Sequence, residues 1–65
     1  MINTKKVREL MEERNITARA LASMTGVGES MMSYIIHGFR EPNVRTLALM
    51  AKALGCTLDE LVLEV

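Results

Sequence analysis

Apolar residues recur along this chain at the three- and four-residue spacing of amphipathic helices, with polar residues between them. In residues 4 to 14 the apolar positions are Val7, Leu10 and Met11, with Asn3 or Thr4 as the cap. Three further helices are predicted over residues 17 to 24, 29 to 37 and 44 to 54, and a short fifth one follows Thr57. No segment alternates as a strand does, so the predicted fold class is all-α.

Caps and glycines place the boundaries of these helices. Thr17 and Asn43 are favourable N-caps, and Gly26 and Gly55 stand where left-handed C-caps are wanted. Residues 57 to 60, TLDE, have the spacing of a capping box. The apolar stripe expected to bury the fourth helix consists of Val44, Leu47, Ala48, Ala51 and Leu54. The charged face of the first helix is predicted to be solvated, with pairs such as Arg8 and Glu12.

The third helix has one polar and one apolar side. At 100° per residue, the polar side holds Glu29, Ser30, Ser33, Tyr34 and His37, and the apolar side holds Met31, Met32, Ile35 and Ile36. The polar side contains no Lys or Arg, which a purely solvated face would favour, and its short donors and acceptors suit the edges of bases. An ordinary solvated helix face is the alternative interpretation.

Composition limits the classes of protein that the chain can represent. Its 65 residues form one domain, residues 1–65, near the lower size limit for folding without disulfides or metals. Cys56 and His37 are the only residues of their types, so no disulfide, metal site or cofactor is expected. No signal or membrane-spanning segment is visible and no small-molecule ligand is evident, so a cytoplasmic protein is expected. The formal net charge of zero gives no support to nucleic-acid binding, although most cations precede position 46.

An ordered set of residues carries a family resemblance over nearly the whole chain. The set is Ile16-Thr17, Leu21-Ala22, Gly26-Val27, Ile35, Gly38, Pro42, Leu47, Ala51, Ala53-Leu54-Gly55 and Leu58-Asp59-Glu60-Leu61. With this order and spacing the chain resembles the phage-repressor and Cro type of helix-turn-helix, the lambda-repressor-like DNA-binding domain. The resemblance implies a compact five-helix domain whose third helix enters the DNA major groove while the second crosses the backbone.

Site residues follow from the resemblance position by position. The implied DNA base contacts are Glu29, Ser30, Met31, Ser33 and Tyr34, and the implied phosphate contacts are Thr17, Arg19, Arg40, Asn43 and Arg45. Glu29 suits the cytosine amino group and Met31 a thymine methyl. Dipole stabilisation of Glu29, solvation of Arg19 and Arg45, and packing of Tyr34 on the second helix or a second subunit are the alternatives. The family commonly has Gln at the position of Ala18 and Glu at that of Ile36, and it more often has Arg, Gln or Thr at those of Glu29 and Met31.

A second apolar surface suggests self-association. It consists of Leu49, Ala53, Val62, Leu63 and Val65, with scattered surface leucines as the alternative. A homodimer would place two recognition helices one DNA turn apart on a pseudo-palindromic operator. The predicted function is a sequence-specific regulator of double-stranded DNA, a Cro-like repressor of phage or mobile-element type. The alternative is a protein-interaction module on the same fold, such as an antitoxin or an anti-repressor partner. An enzyme is not expected, because Ser33 and His37 on an exposed helix lack a pocket and an orienting carboxylate.

Overall fold

The computed structural model describes residues 1–63. The elements are α1 Thr4–Glu13, α2 Ala18–Thr25, α3 Glu29–Ile36, α4 Val44–Leu54 and a 3-10 turn, Asp59–Leu61. The all-helical architecture is confirmed for the described residues. The count of five helices is not confirmed, because the last segment stops after a single 3-10 turn. Val62 there adopts an extended conformation (φ −112°, ψ 132°) and forms an antiparallel bridge with Ile2 instead of continuing the helix.

The predicted caps determine where the helices begin and end. Asn3, Thr17 and Asn43 each accept, with a side-chain oxygen, the backbone N–H three residues further on. The nitrogen-to-oxygen distances are 3.1, 3.0 and 2.8 Å. Such a cap stabilises a helix by about 1 kcal/mol relative to alanine. Gly26 and Gly55 end α2 and α4 in the left-handed conformation, with φ values of 75° and 69°.

The capping box in residues 57 to 60 is present although the helix it begins is short. The backbone N–H of Thr57 donates to Glu60 Oε2 at 2.8 Å, and the backbone N–H of Glu60 donates to Thr57 Oγ1 at 3.3 Å. These reciprocal bonds satisfy two backbone donors that would otherwise lack partners. Leu61, at the end of the turn, is fully buried.

The two ends of the described chain pair with each other. The backbone N–H of Asn3 donates to the Leu61 carbonyl at 2.8 Å, and that of Leu63 donates to the Met1 carbonyl at 2.9 Å. The buried Ile2 donates its N–H to a carboxylate oxygen of Glu41, in the α3–α4 loop, at 2.6 Å. This segment therefore connects the C-terminal tail to the loop after α3.

The core receives side chains from all four α-helices, the N-terminal segment and the 3-10 turn. The buried apolar residues are Ile2, Val7, Leu10, Met11, Leu21, Ala22, Met32, Ile35, Ile36, Leu47, Met50, Ala51, Leu54 and Leu61. Helix α2 packs against both α3 and α4. The buried Thr25 side chain donates its hydroxyl to the Leu21 carbonyl at 2.8 Å, so burial leaves it hydrogen-bonded.

The buried face of α4 differs from the predicted stripe at two positions. Val44 and Ala48 are exposed, and Met50, which the stripe omitted, is fully buried. Ala48 lies about 100° around the helix from Leu47, and Val44 lies in the first turn, so neither reaches the side of the core occupied by Met50.

Candidate nucleic-acid interface

The turn between α2 and α3 sets the angle between these two helices. Gly26 adopts a left-handed conformation, and the backbone N–H of Val27 then donates back to the Ala22 carbonyl at 3.1 Å. Gly28 follows in an extended conformation (φ −61°, ψ 146°) and begins α3 without a side-chain cap. Only glycine takes the left-handed conformation of Gly26 without steric cost, and this residue therefore permits the short turn between the two helices.

The two sides of α3 are separated as the sequence predicted, except that Met31, predicted on the apolar side, is 38% exposed. Met32, Ile35 and Ile36 are buried, and the opposite side faces solvent. Four residues of that side line a shallow depression of about 330 Å³: Glu29, Ser30, Ser33 and Tyr34. Ser33 is partly buried and the other three are exposed. The face therefore presents a carboxylate and three hydroxyls with no cation.

A groove of about 440 Å³ lies beside this face, between α3 and the start of α4. Its lining includes Met31, Phe39, Arg40 and Asn43. The backbone N–H groups of Phe39 and Arg40 both donate to the Tyr34 carbonyl, at 2.8 and 3.3 Å. These bonds attach the α3–α4 loop to the last turn of α3, so the positions of Arg40 and of α3 are coupled.

The predicted DNA contacts lie on α3, in the groove beside it, and at the starts of α2 and α4. The five predicted base contacts lie on α3, and Met31 shares the groove with two predicted phosphate contacts, Arg40 and Asn43. Thr17, Arg19 and Arg45 are exposed at the starts of α2 and α4 and do not line that groove. The side-chain oxygens of the two caps bond to their own helices, which leaves the amide nitrogen of Asn43 available to an external acceptor.

The residues predicted for a dimer surface fall into two groups. Leu49 and Ala53 line a groove of about 440 Å³ together with Lys52 and Met24. Met24 is 54% exposed, and sequence periodicity did not identify it. Val62 and Leu63 belong to the tail that pairs with the N-terminal segment, and Val65 lies outside the described residues.

Arg8 has a contact that the sequence did not predict. Its Nη1 donates to the backbone carbonyl of Ile36, at the end of α3, at 2.8 Å. The expected ion pair with Glu12 is absent from the described residues. The two partners are 28 positions apart, and no periodic signal identifies a side chain that reaches another helix's backbone.

His37 and Cys56 are the other candidate reactive groups. Nδ1 of His37 contacts the backbone carbonyl of Ser33, in the last turn of α3, at 2.8 Å and does not contact the Ser33 hydroxyl. Burial, followed by the nearby Glu60 carboxylate, raises the pKa of the Cys56 thiol, which disfavours the reactive thiolate. The described residues contain no cluster of side chains suited to a metal ion. None of the helices they form has the length and apolar character needed to cross a bilayer.

Comparison with known proteins assigns the chain to a family. A family model described as Helix-turn-helix matches residues 7–61, which extend from α1 through the 3-10 turn. No curated protein and no solved structure gives a significant match. The chain therefore belongs to the helix-turn-helix family of the Cro and C1 type, a lambda-repressor-like family of DNA-binding regulators.

Proposed function

We propose that this protein is a sequence-specific, Cro-like transcriptional repressor that inserts α3 into the major groove of a pseudo-palindromic operator as a homodimer. The observation that carries the proposal is the exposed polar face of α3, held against the core by Met32, Ile35 and Ile36. A helix fixed on one side and exposing short donors and acceptors on the other has the shape and chemistry needed to read base edges.

The exposed polar face of α3, formed by Glu29, Ser30, Ser33 and Tyr34 and called the reading face below, favours particular bases. Glu29 lies in the first turn of α3, and its carboxylate accepts hydrogen bonds, so it suits the cytosine amino group. Met31 is 38% exposed at the border of the face and suits a thymine methyl. The hydroxyls of Ser30, Ser33 and Tyr34 can donate to or accept from bases and phosphates. Arginine contacts to guanine are absent from this set.

Positioning on the DNA backbone comes from the residues that flank α3. Arg40 and Asn43 lie in the groove next to Met31, and α2 and α4 begin with exposed residues at Thr17, Arg19 and Arg45. Arginine side chains and helix N-termini are common partners of phosphate oxygens. Arg19, Arg40 and Arg45 supply local positive charge that the net charge of zero does not, although Glu41 also lines the groove.

We propose that the groove beside Leu49 is the homodimer interface. That side chain is 40% exposed, and Met24 from α2 adds a second apolar side chain to the same groove. A symmetric pair would bury both surfaces and would add to the small core of one chain.

A protein-interaction module is the second candidate function, and exposed apolar side chains favour it. Phe39 is 78% exposed and Met31 38% exposed, both in the groove beside α3. The reading face also carries a carboxylate that phosphates repel unless a cytosine receives it. A protein partner with an apolar surface would cover Phe39 and Met31 together.

Selection from a randomised duplex pool at two salt concentrations tests the proposal. A regulator should enrich a pseudo-palindrome, and its affinity should fall steeply with salt as phosphate contacts release counterions. The matched control is Glu29→Ala, which should still bind but should relax the preference at one position of each half-site. Absence of enrichment at low salt would favour the protein-interaction module.

A further inference from the structure

The C-terminal end of α3 depends on a side chain from another helix. The carbonyls of Ser33, Tyr34 and Ile35 accept backbone N–H groups from residues 37 to 40. The Ile36 carbonyl instead accepts Nη1 of Arg8 at 2.8 Å. Among the described contacts, this is the hydrogen bond that satisfies the last carbonyl of α3.

The charge of Arg8 also suits this position. The last turn of α3 contains no basic residue, although cations stabilise the negative end of a helix dipole. Arg8 supplies that cation from the middle of α1, so the guanidinium joins two helices that pack against each other. A hydrogen bond from a charged donor is stronger than one between neutral groups.

We infer that Arg8 is a positioning residue that fixes the end of α3, and with it Arg40, in the orientation that binds DNA. The inference rests on the proposed function and adds a residue outside the reading face. The link to Arg40 is structural: its backbone N–H and that of Phe39 donate to the Tyr34 carbonyl, two residues before Ile36. Movement at the end of α3 therefore moves the predicted phosphate contact as well.

The size of the effect follows from the populations of two orientations. Loss of the bond lets the end of α3 leave its binding-competent position for part of the time, and the apparent affinity is multiplied by the fraction of molecules that remains in that position. Arg8 is exposed, so water partly replaces the bond. The expected loss of affinity is about 3- to 10-fold for one charge-assisted bond.

Three variants separate positioning from charge. Arg8→Met keeps most of the apolar stem and removes the donor, and Arg8→Lys restores a charged donor. Lys5→Met removes the same charge from an exposed position of α1 whose side chain makes no hydrogen bond or ion pair within residues 1–63. Affinity is measured on the selected duplex over a series of salt concentrations, and amide exchange is measured on free protein at Phe39 and Arg40.

Positioning predicts a specific pattern of results. Arg8→Met should bind the duplex about 3- to 10-fold more weakly, with an unchanged slope of log affinity against log salt, and Arg8→Lys should recover part of the loss. Exchange at Phe39 and Arg40 should accelerate by a similar factor without a matching acceleration in α4. Lys5→Met should change neither local exchange nor affinity at high salt.

Other results overturn the inference. A salt slope lowered by about one in Arg8→Met would make Arg8 a direct phosphate contact. Equal acceleration of exchange throughout the chain would make its role one of general stability. If the wild-type protein selects no duplex, the proposed function fails, whereas exchange in the free protein still decides whether Arg8 holds the end of α3.

Discussion

Met32 is fully buried in the core, whereas its neighbour Met31 is 38% exposed beside the candidate reading face. Helix α4 shows the same contrast, because Leu47 is buried and Leu49 is 40% exposed. In each pair the residue type is the same and the helix is the same. The direction in which the side chain leaves the helix decides whether it stabilises the fold or remains available to a partner.

The contrast shows which apolar residues carry functional information. Burial accounts for Met32 and Leu47, because removal of their surface from water stabilises the fold. Burial accounts only in part for Met31 and Leu49, which lie in surface grooves next to Arg40 and Met24 respectively. The following variants test whether the two classes have separable effects.

The largest effect is expected when methionine is truncated on the buried side of α3. Met32→Ala should lower the free energy of unfolding by about 2 to 4 kcal/mol, because it leaves a cavity in a closely packed core. Met31→Ala should lower it by less than about 1 kcal/mol and should instead alter the preferred operator sequence. Urea denaturation followed by circular dichroism measures the unfolding free energy of both variants, and selection from a randomised duplex pool measures the operator preference. Equal destabilisation would remove the distinction between the two sides.

A charge in the groove beside α4 should have the next largest effect. Leu49→Glu should shift the proposed homodimer towards monomer, since burying an unpaired carboxylate at an interface costs several kcal/mol. Val44→Glu adds the same charge to the same helix at a position that is 72% exposed and outside that groove. Sedimentation of the two variants should show monomer for the first and dimer for the second. An unchanged mass for both would contradict the interface.

Arg40→Ala should weaken DNA binding without altering the fold. The expected loss is about 10-fold, nearly equal on selected and random duplexes, because a phosphate contact carries no direct sequence information. Arg14→Ala is the control, as the Arg14 guanidinium lies over Gly55 at the far end of α4. A loss confined to the selected duplex would assign Arg40 to base recognition.

Asn43→Asp separates the two roles of one residue. Asp caps a helix as well as Asn does, so the unfolding free energy should change by less than about 0.5 kcal/mol. The new carboxylate would nevertheless face a phosphate, and affinity for DNA should fall several-fold. Asn3→Asp makes the same change at the cap of α1 and should leave affinity unaltered. Normal DNA binding by Asn43→Asp would place the start of α4 away from the backbone.

The smallest effect concerns the half-buried Cys56. Burial, followed by the Glu60 carboxylate, raises the pKa of this thiol in the folded state above its ordinary value. The unfolded chain therefore releases the proton first, and the associated stability, present at neutral pH, is lost as pH rises through the folded pKa. Cys56→Ser should lose slightly less stability between neutral and alkaline pH than the wild type. An identical pH dependence of the two proteins would contradict the shift.

Much of the fold could be predicted because its signals are local. The side-chain oxygens of Asn3, Thr17 and Asn43 bond to nitrogens only three residues away, and the left-handed turns require glycine at Gly26 and Gly55. The polar face of α3 follows from the same helical period. Residue order also carries the match to the helix-turn-helix family over residues 7–61.

Tertiary structure decided the features that join distant parts of the chain. Arg8 reaches the Ile36 carbonyl from α1, and Val62 leaves the last turn to pair with Ile2. Met24 and Leu49 share a groove although they belong to different helices. Helical periodicity determined which side chains share a face. Only packing determined which faces meet, because that depends on contacts between residues far apart in sequence, for which a local pattern has no signal.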